Sequence, residues 1–184
     1  MNTRGGIFLD RDGTLILDRE YLRDPTDVAL IPGTTDAIKT LRKLGYDLFL
    51  FTNQSGIARG LLTLEDVNRC NEEMLRQIGL GQIFMDVCIA TEGPNDAQIY
   101  RKPSPRFIGE MAKKYDLDRQ FCYMVGDKGS DLLAGINAGI KAVFVRTGKP
   151  RSSEVEDLIR RKMSLAFNDL LSFTKYLKKS KICH

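Results

Sequence analysis

Apolar and polar positions along the chain follow two periods that take turns. Residues 6–10 (GIFLD), 46–53 (YDLFLFTN), 86–91 (DVCIAT), 121–127 (FCYMVGD) and 141–148 (KAVFVRTG) are short, nearly continuous apolar runs. Runs of that length suit strands buried on both faces. Between them lie helical patterns. Residues 36–45 put Ala37, Ile38, Leu41 and Leu44 on one face, with Gly45 as a stop signal. Residues 63–79 open with Thr63 and Asp66 at capping-box spacing and close at Gly79. Residues 104–117 predict a helix with Pro105 in its first turn, and residues 130–139 another. Residues 154–163 and 168–179 read as amphipathic helices, so the C-terminal segment from about 153 to 180 is expected to be helical. In the second of these, Leu170, Leu171, Phe173 and Leu177 read as core residues. Strand–helix alternation predicts an α/β fold: a Rossmann-like parallel sheet with helices on both faces. No repeat or linker divides residues 1–184, which are read as a single domain.

Composition narrows the class without naming an activity. With 184 residues, 42% hydrophobic and 28% charged, the chain suits one well-packed soluble core. No apolar run approaches bilayer length, and the one near the N-terminus is too short for a signal peptide, which predicts a cytoplasmic protein. Cys70, Cys88, Cys122 and Cys183 are scattered, and the only histidine is His184. Zinc is therefore not expected, nor are disulfides; the thiols read as packing residues. A net charge of +4 and a pI near 8.9 suit an anionic ligand, although the basic stretch at residues 175–184 reads as a solvated tail.

Ligands of open parallel sheets bind beyond the carboxyl ends of the strands. There the apolar runs give way to Asp10 and Asp12, Thr52 and Asn53, Thr91 and Glu92, and Gly126 and Asp127. Taken alone, Asp12-Gly13 between apolar segments is a hairpin signal. The carboxylate that ends the fourth strand gives Asp10 and Asp127 a common meeting point instead. Clustered carboxylates repel unless a proton or cation intervenes, and Mg²⁺ held by few carboxylates and by phosphate oxygens resolves that repulsion.

The order Asp10-x-Asp12-Gly13-Thr14, Thr52, Lys102, then Asp127 and Asp131 resembles the haloacid dehalogenase superfamily of aspartate-dependent phosphohydrolases. The resemblance implies Asp10 as nucleophile and Asp12 as general acid and base, the latter starting protonated. It implies Mg²⁺ on Asp10, the backbone carbonyl of Asp12, and Asp127. Thr52 and Asn53 would donate to the phosphoryl group, and Lys102 would neutralise it. Lys128 would assist on the substrate, and Asp131 would position Lys102 or a metal-bound water. Alone, Lys102 would read as a surface lysine.

The segments LDRDGT, TNQSGIARG, RKPSP, MVGDK and VRTGK further resemble the D-glycero-D-manno-heptose 1,7-bisphosphate 7-phosphatases, with histidinol-phosphate phosphatases as close relatives. That group lacks a large cap domain, and residues 15–33 are too few for one, though enough for a lid. Arg59 and Arg101 would reach a second phosphate or sugar hydroxyls. The chain departs from many members in having no Cys/His zinc motif before Arg101, which bears on substrate choice. The expected partner is a small phosphorylated sugar, met by a monomer without a membrane. The competing substrate is a polynucleotide 3′-phosphate, for which Tyr21, Arg23, Tyr100 and Arg101 are sparse material. The non-enzymatic alternative is an inactive phosphate-binding regulatory protein.

Overall fold

The apolar runs become parallel neighbours in the computed structural model, which describes residues 4–182. Strands β1 (Gly6–Leu9), β2 (Asp47–Asn53), β3 (Asp86–Ala90), β4 (Tyr123–Gly126), β5 (Lys141–Val145) and β6 (Ser164–Phe167) form one sheet in the order β3-β2-β1-β4-β5-β6. All five pairings are parallel. The helices are α1 (Thr34–Lys43), α2 (Leu64–Ile78), α3 (Arg106–Lys114), α4 (Gly129–Asn137), α5 (Ser153–Arg160) and α6 (Leu170–Ile182).

Strand alternation sorts the core onto two faces. Ile7, Leu9, Leu48, Leu50, Val125 and Val143 pack with Ala37, Ile38 and Leu41 of α1, Cys70 and Met74 of α2, and Leu170, Phe173 and Leu177 of α6. Phe8, Phe49, Phe51 and Met124 face the other way, onto Phe107, Ile108 and Met111 of α3 and Ala134 of α4. Phe8 and Phe49 stack at 4.7 Å, and the Phe107 ring meets Phe8 edge-on at 5.9 Å. Such contacts add about 0.5–1.5 kcal/mol beyond their buried area. The chain leaves β1 for β2 on one side and reaches β4 on the other, which opens the crevice at the carboxyl end of β1.

The helix signals hold where local chemistry decides. Thr63 and Asp66 make the reciprocal capping box: the Asp66 N–H donates to Thr63 Oγ1 at 3.1 Å, and the Thr63 N–H donates to Asp66 Oδ2 at 2.8 Å. The expectation of a wholly helical C-terminal segment is corrected. Residues 164–167 form β6, paired with β5, between α5 and α6. Its four half-buried residues carry no period that distinguishes a strand from a helix end, so pairing with β5 decides.

The hairpin that Asp12-Gly13 alone would signal does not form. The turn exists, with Gly13 at φ +83° and the N–H groups of Thr14, Leu15 and Ile16 converging on the Arg11 carbonyl. The chain does not return along β1. Leu15 and Ile16 are buried, and Ile16 bridges to Leu30, so residues 15–33 form a short excursion pinned to the core by Leu22 and Val28. Cys70, Cys88 and Cys122 are free and buried; Cys183 and His184 lie outside the described residues. Among the described residues, no helix is long and apolar enough to cross a membrane.

Candidate active site

Three adjacent strands, β2, β1 and β4, end beside one another and deliver Thr52, Asp10 and Asp127 to the crevice; Lys102 arrives on the connection from β3 to α3. Lys102 is 2% exposed, which makes it a floor residue. Its ammonium lies 2.8 Å from Asp10 Oδ1 and 2.6 Å from Asp131 Oδ1, and donates to the Phe51 carbonyl at 2.8 Å. The backbone of Lys102 is clamped as well. Its N–H donates to Asn53 Oδ1 at 2.9 Å, and Asn53 Nδ2 donates to its carbonyl at 3.1 Å. Glu92 braces the same loop, accepting from the N–H groups of Tyr100 and Arg101.

Electrostatics follow from this packing. Burial pushes the Asp10 carboxyl up, but Lys102 and Lys128 outweigh burial and hold it below its ordinary value. Burial disfavours the Lys102 ammonium, yet Asp10 and Asp131 hold its pKa above the usual lysine value. Asp131 is raised by burial, with Lys102 opposing. Burial and the Asp10 charge push Asp127 up to about 7, against the pull of Lys128. Lys128 Nζ sits 3.7 Å from Asp127 Oδ1 and 3.4 Å from Asp18 Oδ2; burial works against its charge, but the surrounding carboxylates raise it.

The donor set fits a hard divalent cation. Oxygens of Asp10, Asp127 and Asp131 lie within 4.8 Å of one another, and Asp127 Oδ1 is buried without a hydrogen-bond donor among the described residues. Of the three, Asp131 is already engaged, by Lys102 and by the Lys128 N–H at 2.9 Å, where it caps α4. Asp10 and Asp127 therefore retain coordinating capacity. Asp127 is held from outside its own strand by residues 147–149. The Lys149 N–H donates to Asp127 Oδ2 at 3.0 Å, and Thr147 Oγ1 donates to the Gly13 carbonyl at 2.7 Å. A Cβ at Gly148 would overlap the Asp127 carboxylate, and one at Gly13 would meet it at 2.6 Å.

Above this floor is a cavity of about 180 Å³, lined by Asp12, Asn53 and Gln54 and by Arg19, Lys128 and Lys149. Thr52 Oγ1 is buried and accepts from Gln54 Nε2 at 2.8 Å, which leaves its own O–H to donate. Both Asp12 oxygens accept N–H donors from Arg11, and one also accepts from Gln54. Asn53 lines the cavity, but its amide is committed to the Lys102 backbone.

Arg59 and Arg101 do not line this cavity. Arg59 donates to the Tyr21 hydroxyl at 2.9 Å, and Arg101 to the Glu92 carbonyl at 3.2 Å. Sequence reasoning missed Arg11, Gln54, Asn71 and Lys149. The first two stand inside the quoted motifs and Lys149 ends the VRTGK segment. Asn71, in mid-helix, carries no local signal.

Known proteins resemble this chain in sequence and in fold. A family model described as HAD-hydrolase-like matches residues 99–172. The D-glycero-beta-D-manno-heptose-1,7-bisphosphate 7-phosphatase of Helicobacter pylori strain J99 is 36% identical over 154 residues, 82% of this chain and 87% of that protein. The enzyme of the same name from Haemophilus ducreyi is 36% identical over 180 residues, 93% of this chain and 97% of the relative. Among solved structures, the D,D-heptose 1,7-bisphosphate phosphatase from B. bronchiseptica, complexed with magnesium and phosphate, superposes with a TM-score of 0.83 at 29% identity, covering 95% of this chain and 98% of its own. With the strand-end carboxylates, the buried lysine and these relatives in agreement, the chain belongs to the HAD-like hydrolases, in the family of heptose-1,7-bisphosphate 7-phosphatases.

Proposed function

We propose that this chain is a single-domain, Mg²⁺-dependent phosphomonoesterase that removes the 7-phosphate of D-glycero-D-manno-heptose 1,7-bisphosphate through an aspartyl-phosphate on Asp10. The carrying observation is the Asp10 carboxylate, held ionised by Lys102 at the end of β1 with Asp127 beside it. The names of the relatives support the substrate. The same reading takes the protein as a cytoplasmic monomer acting on a small phosphorylated sugar, with neither membrane nor nucleic acid as partner.

An Asp10 carboxylate oxygen attacks phosphorus, and the bond from phosphorus to the sugar oxygen breaks. Asp12, having taken up a proton with the substrate, gives it to that oxygen. Water then attacks the aspartyl-phosphate, Asp12 accepts its proton, and inorganic phosphate leaves with Asp10 regenerated. Lys102 and the Thr52 hydroxyl stabilise charge on the phosphoryl oxygens from fixed positions. Asp10, Asp127 and the Asp12 carbonyl would hold Mg²⁺, which would supply charge neutralisation between the anionic nucleophile and the anionic phosphate. The cavity sets Arg11, Arg19, Lys128 and Lys149 against Asp12, Asp18 and Glu20, and Arg19 and Lys149 are the cations there that suit a second phosphate.

The test compares kcat/KM on both anomers of the bisphosphate, on histidinol phosphate and on a 3′-phosphorylated oligonucleotide. The heptose bisphosphate is expected to dominate, and Asp10→Asn to abolish turnover of every accepted ester while the protein stays folded. Dominance of the oligonucleotide rejects the substrate, and full activity of Asp10→Asn rejects the nucleophile.

A further inference from the structure

The residue between the two catalytic carboxylates is Arg11, the largest of the fully buried side chains, 1% exposed. Neighbours in an extended chain point to opposite sides, so Arg11 and Asp12 should not meet. Here the turn folds them together. Arg11 Nε donates to Asp12 Oδ2 and Nη2 to Oδ1, both at 3.1 Å, a forked pair between adjacent residues. The remaining terminal nitrogen, Nη1, donates to Asn71 Oδ1 at 3.0 Å, on α2. From the other side, Gln54 Nε2 bridges Asp12 Oδ2 at 2.9 Å and Thr52 Oγ1 at 2.8 Å.

A turn at Asp12-Gly13 needs no buried guanidinium, and desolvating one costs several kcal/mol before its pairing is counted. What the fork adds is geometry: a planar donor pair fixes both the position and the plane of a carboxylate, which an ammonium cannot do. The tether to Asn71 fixes the guanidinium in turn. We propose that Arg11, anchored by Asn71, is a positioning residue that sets the orientation of Asp12 toward the leaving-group oxygen. This rests on the reading of Asp12 as the general acid.

The test uses leaving-group dependence, read as kcat/KM because that quantity spans the steps up to departure of the leaving group. A sugar alkoxide needs a proton to leave, whereas p-nitrophenolate does not. Misplacing the acid should therefore hurt the heptose bisphosphate far more than p-nitrophenyl phosphate; a general packing defect should hurt both alike. Arg11→Lys and Asn71→Ala are expected to lower kcat/KM on the bisphosphate by roughly 10–100-fold, and on the aryl ester by less than about 3-fold. Asn71→Ala keeps the Arg11–Asp12 pair, so it carries the test if Arg11→Lys does not fold. Asp12→Asn is the reference. If it is leaving-group selective while both variants lose equally on the two esters, the positioning role is overturned. If Asp12→Asn is itself unselective, the general-acid reading falls and the positioning role with it.

Discussion

At the floor of the active site Lys102 reaches Asp10, Asp131 and the Phe51 carbonyl from a side chain out of contact with water, whereas along the rim Arg59 holds the Tyr21 hydroxyl in the open. The floor is over-determined. Asn53 grips both sides of the Lys102 peptide, Glu92 braces the approach to it, and residues 147–149 press Asp127 from the loop that follows β5. The rim rests on exposed contacts, such as Arg59 to the Tyr21 hydroxyl at 2.9 Å, and on Tyr21 itself, an exposed residue at φ +51°. Exposed pairs contribute about 0–1 kcal/mol, whereas breaking a buried pair costs about 3–5 kcal/mol. The phosphoryl-transfer machinery is thus preorganised and indifferent to the rest of the substrate. The exposed loops at the rim are held by weaker contacts.

Removing the floor cation gives the largest effect. Lys102→Met leaves Asp10 and Asp131 facing each other in a buried site. Turnover is expected to fall about 10²–10³-fold or more, and chemical denaturation to show a loss of about 3–5 kcal/mol. Activity within tenfold of the parent would show that the floor is less tightly determined than its contacts indicate.

Gly148→Ala sharpens the comparison from inside the floor, since the added methyl group occupies the place of the Asp127 carboxylate. Mg²⁺ binding is expected to weaken about 10–100-fold, read as a smaller rise in Tm with added Mg²⁺. The parent should show a pH signature as well. Without metal, folded Asp127 titrates near 7 while the unfolded residue titrates near 4. Between those values the folded chain holds a proton the unfolded chain has lost, so this group's contribution to stability falls as pH rises. The Mg²⁺-induced rise in Tm should accordingly be larger at pH 8 than at pH 6, where the cation must displace that proton. An equal rise at both would place the metal elsewhere.

The rim supplies the smallest effect. Arg59→Ala is expected to raise KM a few-fold at unchanged kcat, with stability within about 0.5 kcal/mol of the parent. A large fall in kcat would move Arg59 from the rim into the chemistry.

How much of this was legible follows the range of the forces involved. Asp10, Asp12, Thr52, Lys102 and Asp127 could be found because each follows an apolar run or stands in a compact motif. The Thr63–Asp66 cap could be found because both of its bonds span three residues. Strand β6 was hidden because its only strong signal is the partner strand β5. The destinations of Arg59 and Arg101 were hidden because a long flexible side chain goes to its nearest strong acceptor, here Tyr21 and the Glu92 carbonyl. Asn71 was invisible because its role depends on Arg11, 60 residues away.

The sequence by itself determined the α/β class, the carboxyl ends of the strands as the place of chemistry, and the residue types that chemistry requires. Those are consequences of hydrophobic period and of short-range turn and cap chemistry, which act over a few residues. Only the tertiary structure decided that Lys102 lies buried between two aspartates, that Gly148 leaves room for Asp127, and that Arg11 turns back onto its neighbour. Each depends on burial and on contact between distant segments, and desolvation strengthens a charge pair only after the chain has closed around it.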